Sequence, residues 1–98
     1  MTNYIIEGNQ SKMVREGLLN YVIKLSVHNN ETINTKALSI LVNLLSNHDN
    51  NRIQFCNLNG LSLLSKILSS SNVKSQVLAL QACLFLSHSS NFFYYFIF

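Results

Sequence analysis

Ala37-Leu38-Ser39-Ile40-Leu41-Val42-Asn43-Leu44 returns 42 residues later as Ala79-Leu80-Gln81-Ala82-Cys83-Leu84-Phe85-Leu86. Leu41 is echoed by Cys83 and Leu44 by Leu86. Upstream, Glu16-Gly17-Leu18-Leu19 returns as Asn59-Gly60-Leu61-Ser62 at an offset of 43. The loops after the long segments match as well, Leu45-Ser46-Asn47-His48 against Leu86-Ser87-His88-Ser89 with a slip of one residue. Self-similarity at a period of ~40–47 residues marks units of two or three helices that stack because one unit cannot bury its own apolar faces. The chain therefore divides into residues 9–49, residues 50–91 and a tail at 92–98 that fits neither unit.

Each unit carries its own start and stop signals. In the first, Gly17 opens a helix that runs to about Val27. Asn29-Asn30 breaks it and supplies an N-cap for a second helix with Glu31 in its first turn. Ile33, Ala37, Ile40/Leu41 and Leu44 then form an apolar stripe of helical period, and Asn47-His48-Asp49-Asn50 ends the helix. In the second unit Asn50-Asn51 caps a short helix over about Arg52 to Leu58. Leu61, Leu64 and Ile67/Leu68 form the stripe of the next. Ser69-Ser-Ser-Asn72 is a loop and N-cap, after which Val73, Val77, Leu80 and Leu84 form the stripe of the last. A short helix over about Gln10 to Arg15 opens the first unit in the same way. The expected class is all-α.

Composition supports that class. The chain has 98 residues, of which 48% are hydrophobic and only 11% charged, against roughly 25% charged in an average domain. Fourteen Asn and thirteen Ser supply the missing polarity. The hydrophobic content argues against disorder. Three Gly and no Pro are too few for a turn-rich sandwich or barrel. Two cysteines, Cys56 and Cys83, do not make a disulfide scaffold. The net charge is +3, but the seven basic residues are scattered, whereas nucleic-acid binding clusters them on one face. No nucleic-acid partner is expected.

The segments resemble the armadillo repeat. That family shows an Asn-rich turn, a short helix, a Gly pair, an apolar helix ending Leu-Leu, and a long helix with Ala-Leu-x-x-Leu-x-Asn-Leu. Asn51-Arg52, Phe55, Asn59-Gly60-Leu61, Leu64 and Ile67-Leu68 match the first part, and Ala37 to Leu44 the last. The resemblance covers roughly residues 9–91. Phe85 replaces the family's Asn in the second unit. Glu16 and Asn59 replace the first Gly of each pair, and the Pro that commonly follows the pair is missing. The implied architecture is an armadillo-type right-handed α-solenoid fragment of about two helical repeats.

A narrower likeness joins Thr35-Lys36-Ala37-Leu38-Ser39-Ile40-Leu41, Leu44-Leu45-Ser46-Asn47-His48 and Gln54-Phe55-Cys56-Asn57-Leu58-Asn59-Gly60-Leu61-Ser62-Leu63-Leu64. This is similar to the armadillo-type nucleotide exchange factors of DnaK-type heat-shock chaperones, whose members have more repeats. The armadillo resemblance implies a protein partner held on the concave face of the third helices. Two positions four apart on that helix face the groove in the family, which here are Ser39 and Asn43, then Gln81 and Phe85. Asn43 would offer a donor and an acceptor, and Phe85 an apolar contact or a core side chain. The chaperone likeness implies an ATPase domain as the partner, with ADP released by a shift in its conformational equilibrium. The alternative is a truncated fragment of a larger armadillo scaffold or transport adaptor with no activity of its own.

No catalytic constellation is visible. Glu7, Glu16, Glu31 and Asp49 lie on different elements, so no paired acid and base emerges. His28, His48 and His88 fall at helix ends, where a His meets the negative end of the dipole. Cys56 and Cys83 lack zinc-site spacing and read as small buried hydrophobes. The three glycines are isolated, so no phosphate loop forms. No enzyme activity, metal or cofactor is expected. The N-terminus lacks a secretory signal, so the two Asn-x-Ser/Thr sequons carry no weight and the expected compartment is cytoplasmic.

Residues 77–98 carry no charge, a length that could span a bilayer. Gln81, Ser87, His88, Ser89, Ser90 and Asn91 break it into two short pieces, so a membrane anchor is not expected. Phe92-Phe-Tyr-Tyr-Phe-Ile-Phe98 combines β-propensity with no charge, the signature of an aggregation-prone segment when exposed. Two readings stay open: read-through of AT-rich sequence, or an improvised cap over the last helix. Self-association through the terminal faces or the tail is a further expectation.

Overall fold

The computed structural model of the chain describes residues 17–88. Among these, all regular structure is α-helical. Helix α1 covers residues 17–25, followed by α2 (Glu31–Asn47), α3 (Asp49–Asn57), α4 (Gly60–Leu68) and α5 (Val73–Leu86). The short helix expected over residues 10–15 and the tail at 92–98 lie outside the described residues.

Local chemistry explains most of the boundaries. Asn30 holds an extended backbone, and its Oδ1 accepts the Ile33 N–H at 3.1 Å. Asn72 does the same for the Ser75 N–H at 3.1 Å. Each cap satisfies one of the N–H groups that a helix start leaves unpaired. Gln76 on α5 reaches back so that its Nε2 donates to the Leu68 carbonyl at 3.2 Å and to the Ser70 carbonyl, closing the end of α4.

Helix α3 departs from expectation. It starts at Asp49, two residues before Asn51, and no side chain caps it. An acidic residue in the first turn suits the helix dipole, while Asn51 points elsewhere. Its Nδ2 donates to the Leu44 carbonyl at 2.8 Å, and Arg52 Nη1 donates to the Leu45 carbonyl at 2.6 Å. The Asn-Arg pair therefore caps the C-terminal end of α2.

Helix α4 begins at an Asn in the left-handed region, Asn59 with φ 68°. Asn visits this region more readily than most non-glycine residues because its short polar side chain can bond locally. The next residue must be glycine for a different reason. A Cβ on Gly60 would stand 2.3 Å from Phe55 Cε2 and 2.4 Å from Phe55 Cζ. Phe55 is wholly buried, so the backbone of α4 rests directly on its ring.

The core joins Leu19 and Val22 of α1, Leu38, Leu41 and Leu45 of α2, Phe55, then Leu64 and Ile67 of α4, with Ala79, Ala82 and Leu86 of α5. The stripe expected on α5 faces outward instead. Val73, Val77, Leu80 and Leu84 are 67, 48, 57 and 59% exposed, while Ser75, Ala79, Ala82 and Leu86 are buried. Both sets have helical spacing, because α5 is apolar nearly all round. The small side chains of Ala79 and Ala82 decide the matter, since they let α5 approach its neighbours closely. Helix α2 is rotated in a smaller way. Ile33 and Ile40 are exposed, Ala37 and Leu41 are buried and Leu44 is half-buried. On α4 Leu64 and Ile67 are buried but Leu61 and Leu68 only half-buried, with Leu63 buried as well. Cys56 and Cys83 are half-buried, not buried.

Helices α2 and α5 meet along their first halves. Ser75 Oγ donates to Asn34 Oδ1 at 3.3 Å, across 41 positions of sequence. That separation is one short of the 42-residue offset seen in the sequence.

Candidate functional site

A shallow groove runs between the first halves of α2 and α5. Thr35, Lys36 and Ser39 line one side, and Val73, Lys74, Val77 and Leu78 the other, around a volume of about 460 Å³. Its apolar floor includes Val73 and Val77 of α5, which the sequence places in the core. Thr35 turns its hydroxyl back to donate to the Glu31 carbonyl at 2.7 Å. Lys36 and Lys74 are both exposed.

The four positions expected on a concave face divide. Ser39 is exposed and lines the groove. Asn43 and Gln81 are exposed and sit one helical turn beyond Ser39 and Val77 on the same rows, since residues four apart share a face. Phe85 is half-buried and packs against the core. It belongs to the interior more than to the groove. The residues that sequence reading overlooked are Lys36, Lys74, Val73 and Val77. Competition between two apolar stripes on α5 was the available signal for the valines. For the lysines the charge alone was visible, because their pairing across helices depends on how α2 and α5 are placed.

A second depression of about 240 Å³ is lined by Ser26, His28, Asn34, Lys66, Asn72 and Ser75, among others. Its polar atoms are mostly committed to the fold. Ser26 Oγ donates to the Val22 carbonyl at 2.8 Å, and Asn34 Nδ2 donates to the His28 carbonyl at 3.0 Å. His28 Nδ1 accepts the Asn30 N–H at 3.0 Å. These bonds hold the turn between α1 and α2, and they explain the polarity without a ligand.

Among the described residues no three His, Cys, Asp or Glu side chains gather where a metal ion could sit. Glu31 starts α2, and Asp49 pairs with Arg52 at 3.5 Å on α3. His28, His48 and His88 all stand at helix ends. No helix among the described residues is long and apolar enough to cross a membrane.

Burial pushes the thiols of Cys56 and Cys83 above the ordinary cysteine value. The thiolate is the reactive form, so iodoacetamide at neutral pH should label both more slowly than a free cysteine, with a sharp rise in rate on unfolding. The same shift has a stability consequence. A folded-state pKa above the unfolded one stabilises the protein below the ordinary thiol value, and that contribution is lost as pH rises through the folded value. The melting temperature should fall more steeply between about pH 8 and about pH 10 in the wild type than in a Cys56→Ala/Cys83→Ala variant. Equal slopes would show that the thiols are solvated.

No protein-family model, curated protein or solved structure significantly matches the chain.

Proposed function

We propose that this chain is a non-enzymatic protein-interaction module of armadillo type, holding a protein partner against the face that α2 and α5 build together. One observation carries the reading: α2 and α5 lie side by side along their first halves, joined by the Ser75–Asn34 hydrogen bond at nearly the repeat offset. Units adjacent in sequence and stacked in space are how solenoids make extended binding surfaces. Ser39, Asn43 and Gln81 are exposed on that face. The amides of Asn43 and Gln81 offer both donors and acceptors to a partner's backbone. The reading gives the chain no chemistry of its own.

The Lys36-Ala37-Leu38 and Gln54-Phe55 to Gly60 likeness narrows the partner to the ATPase domain of a DnaK-type chaperone. Acting there as a nucleotide exchange factor needs only a higher affinity for the open, ADP-free state. The test is release of labelled ADP from such an ATPase domain with the full chain present. About tenfold faster release is expected, equivalent to roughly 1.4 kcal/mol off the barrier to release, and Asn43→Arg/Gln81→Arg should reduce it. Unchanged release by folded protein removes the co-chaperone assignment.

The second reading, a part of a larger armadillo scaffold or adaptor, is favoured by a different observation. Val73, Val77, Leu80 and Leu84 leave a continuous apolar stripe on α5 exposed, the kind of surface that a stacked neighbour covers.

A further inference from the structure

The geometry points to an acidic protein segment with an apolar anchor as the occupant of the α2–α5 groove, its carboxylates met by Lys36 and Lys74. This rests on the α2–α5 face being a binding surface, and it states the partner's chemistry. The apolar floor residues Val73, Val77 and Leu78 share the α5 side of the groove with Lys74, and Lys36 stands on the α2 side. Among the described residues no carboxylate lines it. Among the described residues the single ion pair is Arg52 with Asp49, on α3, so neither lysine is matched by an acid of the described chain. An apolar floor between two unmatched cations complements a segment that alternates Leu-like and Asp/Glu side chains.

Two competing occupants fit less well. Nucleic acid is bound by many clustered Lys/Arg and by aromatic stacking platforms, whereas this groove offers two lysines and aliphatic side chains. A basic segment would place like charges against both walls, which costs affinity and suppresses the wrong partner. The groove is open along one side, so a chain can lie across it with its ends in solvent.

The experiment is fluorescence anisotropy of the full chain with three labelled peptides: one alternating Glu or Asp with Leu, one with each acid replaced by Lys, and one with each Leu replaced by Ser. The acidic Leu peptide should bind best, and added salt should weaken it because exposed charges are screened. Lys36→Ala and Lys74→Ala should each raise Kd by roughly two- to fivefold, the range for one exposed ion pair. Lys36→Glu/Lys74→Glu should shift preference to the Lys peptide. Both lysines are exposed, so circular dichroism should show unchanged folding in these variants. Equal binding of acidic and basic peptides, or acidic binding that survives the double reversal, overturns the proposal. A further variant separates this failure from failure of the surface itself. If the basic peptide binds and Ser39→Trp blocks it, the face binds partners but the charge assignment is wrong. If Ser39→Trp leaves all binding intact, the face is not the binding surface and both readings fall.

Discussion

Gly60→Ala should destabilise the protein severely, although glycine to alanine in a helix is ordinarily favourable. Gly60 is the first residue of α4 and its φ is not positive. Backbone freedom alone would therefore make alanine better by roughly 0.5–1 kcal/mol. The obstacle is contact: the new methyl would stand 2.3 Å from the ring of Phe55. Phe55 is wholly buried among the core residues, so the ring cannot swing into solvent and α4 must lift. Overpacking a core costs about 1–3 kcal/mol and occasionally more, a large share of a total near 5–15 kcal/mol. A double-mutant cycle makes the attribution testable. Phe55→Ala alone should cost about 3–5 kcal/mol. Adding Gly60→Ala to it should be neutral or stabilising, because the clash is gone and the helix preference returns. If Gly60→Ala is as harmful without the ring as with it, the ring is not the reason for the glycine. Urea melts of the four proteins decide this.

That pair also marks how far the sequence could be read. Asn59-Gly60 announces a break between helices, and the left-handed Asn59 is one residue type's ordinary habit. The partner that makes Gly60 indispensable lies five positions upstream on another helix, and no local pattern names it. The caps at Asn30 and Asn72 were legible because an N-cap is a contact within three residues of chain. The α-helical class followed from periodicity and from scarce Gly and Pro. The orientation of α5 was not legible. Val73, Val77, Leu80 and Leu84 are larger than Ala79 and Ala82, and transfer free energy alone would bury the larger set. Close approach of α5 to its neighbours reverses that preference, and it is a property of the assembled helices. The groove inherits this inversion: Val73 and Val77, which turned outward, line it, and its two lysines come to one groove only once α2 and α5 meet. Ser39, Asn43 and Gln81 are exposed, whereas Phe85 is half-buried against the core.

Asn51→Asp should lower stability at neutral pH by more than Asn51→Ala does. Asn51 is buried, and its Nδ2 donates to the Leu44 carbonyl at 2.8 Å. Removing the side chain strands that carbonyl, at a cost of about 1–3 kcal/mol for a buried unsatisfied group. The aspartate variant adds a desolvated charge facing a carbonyl oxygen, which can donate nothing unless protonated. Its carboxyl pKa in the folded state should therefore lie above the unfolded value. A raised folded pKa means stability that is present below the unfolded value and lost as pH rises through the folded one. The aspartate variant should gain on the alanine variant as pH is lowered from about 7 towards about 4, the ordinary carboxylate range. Melting temperatures at the two pH values test this, and an aspartate variant matching wild type at neutral pH would show that the amide does not donate. The consequence for binding is local. Leu44 and Leu45 lie in the last turn of the helix that carries Asn43, so loss of the cap frays that turn first. Lys36 and Ser39 lie on its first half, held by the Asn30 cap and the Ser75–Asn34 bond. Under conditions where the variant stays folded, peptide affinity at the Lys36–Lys74 groove should hold while any contact made through Asn43 weakens.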